Sequence, residues 1–157
     1  MALFGYRIEQ IEDAILDALK ADSTLAAYVR TFDRLPWDRA DEIDKLVLNY
    51  PAVLVAYVGQ TDDSGASDAL FQTGTFAVWC CARNLRSPSA ASRGEVAGEA
   101  GAYDLLDDVA HALHHSGLGL DDTVLDCRSM RVEPLAASAR MVVFSREFEI
   151  EWLRGET

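Results

Sequence analysis

The chain has 157 residues, with 14 Lys and Arg against 26 Asp and Glu, a formal net charge of −12. Half the residues are hydrophobic and a quarter are charged, the mix of one soluble globular domain over 1–157 and not of a disordered chain. Only two lysines are present, Lys20 and Lys45, and the arginines are scattered, which argues against nucleic-acid phosphates or an anionic membrane as partner.

No apolar run approaches the roughly 20 residues of a membrane span. The first residues lack the basic-then-apolar order of a signal peptide. Residues 6–20 carry Ile8, Ile11, Ile15, Ala18 and Leu19 at helical spacing, with Glu9, Glu12, Asp13 and Asp17 on the other faces. A short second helix follows, capped by Asp22 or Ser23, with Leu25, Ala26 and Val29 inward. Residues 31–50 are mixed: Pro36 interrupts, and 38–45 suits a turn or two of helix.

Residues 51–58 are apolar on both faces, the pattern of a central strand covered on both sides. The Gly-, Ser-, Thr- and Asp-rich stretch 59–68 reads as a mobile loop. Residues 71–82 are aromatic and β-branched and predict a second strand, antiparallel to the first because the connection is short. After a polar connector with Pro88, the stripe Val96, Ala100, Tyr103, Leu106, Val109, Ala110, Leu113 predicts a long helix over 94–116, roughly 35 Å, ended by Gly117 and Gly119. A strand over 123–133, a turn over 134–138 and a strand over 140–153 complete the chain. In the last, Val142, Phe144, Phe148, Ile150 and Trp152 face one way and Ser145, Glu147, Glu149 and Glu151 the other. The predicted class is α+β: a mainly antiparallel four-stranded sheet packed against a long helix and N-terminal helices.

Catalytic patterns are weak. Cys80, Cys81 and Cys127 lack metal-ligand spacing and read as buried reduced thiols. His111, His114 and His115 share a helix face that could grip a metal. No Glu stands between them and no distant third ligand is signalled, so a helix-end role is favoured. The pairs Asp62-Asp63, Asp107-Asp108 and Asp121-Asp122 read as solvated charge. Ser64 lacks a nucleophile elbow, and the Gly117–Gly119 segment lacks the spacing and lysine of a phosphate loop. Folding without metal or cofactor is expected. The row Glu147, Glu149, Glu151 needs cations opposite: Arg128 and Arg131 within the chain, or a basic surface on another subunit.

Several short segments taken together resemble a known family. They are Ile11-Glu12 to Leu19, Pro51-Ala-Val-Leu-Val, Arg83-Asn84-Leu85-Arg86 after a strand, Gly101-Ala102-Tyr103-Asp104-Leu105-Leu106-Asp107-Asp108-Val109, and the terminal Phe148-Glu149-Ile150-Glu151-Trp152. In this order they resemble the small tail proteins of Mu-like phages and prophages, over nearly the whole chain. The resemblance implies a non-enzymatic virion protein of a long contractile tail, assembled in the host cytoplasm. Its nearest role is a tail terminator: a ring, usually a hexamer, that caps the tail tube and sheath and joins a head-tail connector protein. No catalytic residue carries over. Arg83, Asn84, Leu85, Gly101, Ala102 and Tyr103 carry over as motif and packing positions, with Gly101 and Ala102 permitting close backbone approach. For ring closure the candidate patches are Glu147, Glu149 and Glu151 on one subunit and arginines such as Arg83, Arg86 and Arg93 on the next. The alternatives are a small acidic cytoplasmic adaptor for one protein partner and, behind it, an enzyme using the histidines.

Overall fold

The computed structural model describes residues 6–35, 49–63, 71–83, 92–93, 101–114, 116, 118, 120, 124–137 and 141–153. Among them the chain runs α1 (Ile8–Ala21), α2 (Ser23–Tyr28), β1 (Thr31–Arg34), β2 (Ala52–Asp63), β3 (Phe71–Arg83), α3 (Ala102–Leu113), β4 (Val124–Ala137) and β5 (Met141–Leu153). The five strands form one sheet in the order β1-β2-β3-β5-β4. The β1–β2 pair is parallel and the others are antiparallel, so the fold is α+β with a mixed sheet.

Local chemistry sets the helix ends. The Gln10 side-chain oxygen accepts the Arg7 N–H at 2.8 Å, and α1 buries Ile11, Ala14, Ile15, Leu16 and Leu19. Asp22 closes α1 and opens α2, accepting the Leu25 N–H at 3.0 Å. Gly101 is extended and serves as the N-cap of α3, its N–H held by Asp104 at 2.9 Å. That break means one helix cannot run through 94–116. α3 starts at Ala102 and ends at Leu113, where the His114 N–H reaches the Ala110 carbonyl and His114 turns extended.

The first face of the sheet receives the helices. Val53 and Val55 of β2, Phe76, Val78 and Cys80 of β3, Cys127 of β4, and Phe148, Ile150 and Trp152 of β5 pack there against α1, α2 and α3. Tyr57, Phe76 and Trp152 form an aromatic row with centroids 5.5 and 6.0 Å apart. A Cβ at Gly74 would lie 2.6 Å from the Trp152 ring, so glycine gives the indole its place. The second face is buried at one end by small and branched residues: Ala52, Leu54, Ala56, Ala77, Cys81, Met141 and Val143, with Leu35, Tyr50 and Trp79 against them. Ala52–Ala56 are thus covered on both faces, as their pattern implies, whereas Val58 is 52% exposed.

Four expectations are corrected. The sheet has five strands and not four, because the short segment Thr31–Arg34 pairs parallel with Ala52–Val55. Residues 59–63 extend β2 instead of looping out: after a bulge at Val58, Gly59–Asp63 pair with Phe71–Thr75. The remainder of that expected loop lies outside the described residues. Pro134 lies inside β4, not in a turn. β4 is an edge strand and Pro134 adjoins a bulge, where a missing N–H is tolerated. The long helix is shortened to α3, as above.

Candidate assembly surfaces

On β5, alternation puts Glu147, Glu149 and Glu151 on the second face, continuing past Met141 and Val143. Their neighbours are Ala77, Thr75 and Thr73 on β3, and Arg131, Arg128 and Asp126 on β4. Arg128 donates to Glu149 at 2.5 Å. Arg131 stands across from Glu147 yet bonds Glu133 along its own strand at 2.5 Å. The row is therefore neutralised in part within the chain, and Glu147 and Glu151 form no ion pair among the described residues.

The motif positions separate. Arg83 ends β3, exposed, opposite Met141. Gly101 and Ala102 are buried at the start of α3, and Tyr103 is half exposed, edge-on to Phe144 with centroids 5.6 Å apart. Arg93 is exposed, and Asn84, Leu85 and Arg86 lie outside the described residues.

Cys80, Cys81 and His114 serve the fold, and His111 is exposed on α3. Burial pushes the Cys80 and Cys81 thiols up, Cys81 to about 12, so they stay protonated, the reverse of an activated nucleophile. His114 Nδ1 accepts the Ser129 N–H at 3.0 Å, which ties the end of α3 to β4. His115 lies outside the described residues. Among the described residues no three His, Cys, Asp or Glu side chains gather as a metal set, and no helix is long and apolar enough to cross a membrane. Tyr28 donates to Asp108 at 2.5 Å; burial and that bond raise its pKa above the ordinary tyrosine range. It lines a depression of about 530 Å³ with Ala26, Ala27, Val29, Arg30 and Asn49, which holds no acid-base pair.

The surface that sequence reading missed is the outer margin of β4. Met130, Val132 and Leu135 are 55%, 42% and 40% exposed. The register shifts at 124/126, 129/131 and 134/136, so Leu125, Met130 and Leu135 are the extra residues of three bulges five positions apart. Arg146 stands beside this margin, on β5 between Val78 of β3 and Val132 of β4. It pairs with Val132, its Nη1 donates to Ser129 Oγ at 2.8 Å, and its Nε is buried without a partner. The signal was present: Arg146 interrupts the apolar alternation of β5 between Phe144 and Phe148. The bulges carry no comparable sequence signal beyond Pro134.

The family model described as "Bacteriophage Mu, Gp37" matches residues 7–153. No curated protein matches the sequence. Among solved structures, a chain of the virion of a native gene transfer agent (GTA) particle is similar, with TM-score 0.62 and 17% identity, over 95% of this chain and 99% of that one. At that identity the likeness shows a shared fold.

Proposed function

Since the chain belongs to the Bacteriophage Mu Gp37 family, we propose that it is a structural component of a phage tail, of the tail-terminator kind. In this reading copies form a ring, six in number, that caps the tail tube and sheath and meets a head-tail connector protein. It acts in the virion tail and assembles in the host cytoplasm. The observation that carries the reading is the family match over nearly the whole chain; the shared fold with a chain of a phage-like particle supports it. The buried, protonated thiols and the helix-end use of His114 fit a non-enzymatic role. Glu147, Glu149 and Glu151 are a proposed contact for a basic neighbour in the assembly, with Arg86 and Arg93 as candidate cations. Of the three acids, Glu147 and Glu151 have the charge to spare.

The test is light scattering and electron microscopy of concentrated protein, alone and with purified tail tubes. Rings, or protein bound to tube ends, are expected. The double variant Glu147→Lys/Glu149→Lys should lose assembly and keep its far-UV circular dichroism. A protein that stays monomeric at high concentration and ignores tail tubes would replace this reading with the adaptor.

A further inference from the structure

We propose that the outer margin of β4 docks the acidic flank of α1 from a second copy of this chain. The inference rests on the tail-ring reading and concerns an edge of the molecule apart from the Glu147–Glu151 row. Among the described residues β4 pairs as a strand on one side only, with β5, and its Ser129 N–H is held by His114. A long open edge invites association, and bulges are one device that blunts backbone pairing. Here the three bulges break the ladder and leave side chains to make the contact. Met130, Val132 and Leu135 give that edge an exposed apolar strip, an arrangement that scattered single exposures do not produce.

The charge beside the strip identifies the occupant. Arg146 has one hydrogen bond, to the Ser129 hydroxyl, a buried Nε without partner, and no carboxylate among the described residues. A partly buried cation without an anion is an expensive arrangement, and an incoming carboxylate would relieve it. Two β4 edges pairing antiparallel about Arg131 would set that arginine against its own copy, so an acid from another surface is the better complement. In this chain Glu9, Asp13 and Asp17 occupy one stripe of α1 at i, i+4 and i+8, like charges that repel along the helix. Arg7 meets Glu9 and Arg34 meets Asp13, while Asp17 is exposed with no ion pair among the described residues. α1 packs over β1 and β2, the opposite end of the sheet from β4. Different patches at opposite ends of one subunit are the geometry of a heterologous contact, which can close into a ring.

A charge exchange tests this. The edge variant is Met130→Glu/Arg131→Glu. The helix variant is Glu9→Lys/Asp17→Lys, which leaves the Asp13–Arg34 pair in place. All four side chains are exposed, so circular dichroism should match wild type and thermal midpoints should fall only slightly, by the loss of the exposed Arg7–Glu9 and Arg131–Glu133 pairs. Each variant alone should self-associate at least tenfold more weakly than wild type by light scattering. An equimolar mixture should regain assembly, because every contact then joins unlike charges. If either variant assembles as wild type does, or the mixture fails to recover, this contact is wrong while wild-type rings keep the tail reading. Wild-type protein that remains monomeric and leaves tail tubes unbound overturns both.

Discussion

The two faces of the sheet are built from different material. The first carries Phe76, Phe148, Ile150 and Trp152 and is closed by helices of the same chain. The second changes along its strands, from Ala52, Leu54, Cys81, Met141 and Val143 at one end, through Ala56 and Ala77 beside Glu147, to Glu149 and Glu151 at the other. Large interlocking rings fix one packing and tolerate little change. A charged strand end with in-chain partners tolerates much more, because solvent screens what is lost. Stability should therefore reside on the first face, and surface available for assembly on the second face and at the β4 margin.

The largest effects fall on the first face. Trp152→Ala should cost about 3–5 kcal/mol, the usual range for a buried aromatic. Gly74→Ala should cost about 1–3 kcal/mol, since the indole is fully buried, bonded to the Tyr6 carbonyl at 3.1 Å, and cannot step aside. The two are coupled: with the ring removed, the added methyl has room. Denaturant unfolding of the double variant should give less than the sum. Strict additivity would show that Gly74 is needed for a reason other than the Trp152 ring.

This first face is also the part most legible in the sequence. The apolar stripes of α1 and α3 and the alternation of β5 record burial directly, because each period matches its element. In sequence, residues 59–63 read as loop because Gly, Thr and Asp suit turns; pairing with Phe71–Thr75 overrides that preference. The strand Thr31–Arg34 is four residues long, polar at its end, and paired with a segment far along the chain, so no local pattern reveals it. Of the candidate sites, the Glu row could be placed on a face from its period. Whether Arg128 or Arg131 would meet it depended on the bulge between Ser129 and Arg131, which resets the register.

The two faces each bury a thiol of β3. Cys80 lies under the helices and Cys81 on the second face, and burial raises both pKa values. From the ordinary thiol value of 9.0 to about 12 for Cys81, the unfolded chain sheds protons that the fold retains. The unfolded state then binds fewer protons, so stability is full below pH 9 and falls as pH rises through this window. Each thiol contributes a slope of about 1.4 kcal/mol per pH unit at most. Cys80→Ala and Cys81→Ala should each flatten the alkaline decline in urea midpoint; equal slopes in wild type and variants would show that the thiols are not its source.

Arg146 should separate stability from assembly. Replacing it with Met removes a buried unpartnered Nε and leaves the Ser129 hydroxyl half-buried. An unsatisfied buried polar group costs about 1–3 kcal/mol, against about 1 kcal/mol for the hydrogen bond lost. Arg146→Met should thus be neutral or more stable by about 1 kcal/mol, while self-association weakens. A variant that loses stability and assembles normally would place the guanidinium among the groups that hold the fold.

The smallest effect belongs to the second face. Glu149 is paired with Arg128, whose side chain is half exposed. Screening holds such a pair to about 0–1 kcal/mol. Glu149→Gln removes the charge, keeps an acceptor for the guanidinium, and lessens repulsion from Glu147 and Glu151 in the same row. These contributions oppose one another, so the change in unfolding free energy should stay within about 0.5 kcal/mol, and added salt should shrink it further. Glu147→Gln has repulsion to lose and no ion pair among the described residues to break, so it should be level with wild type or slightly more stable. Measured side by side at low and high salt, the two substitutions give the sign of the row. If both destabilise by more than 1 kcal/mol, the acidic end of the second face contributes to the fold as the first face does, and the contrast between the two faces fails.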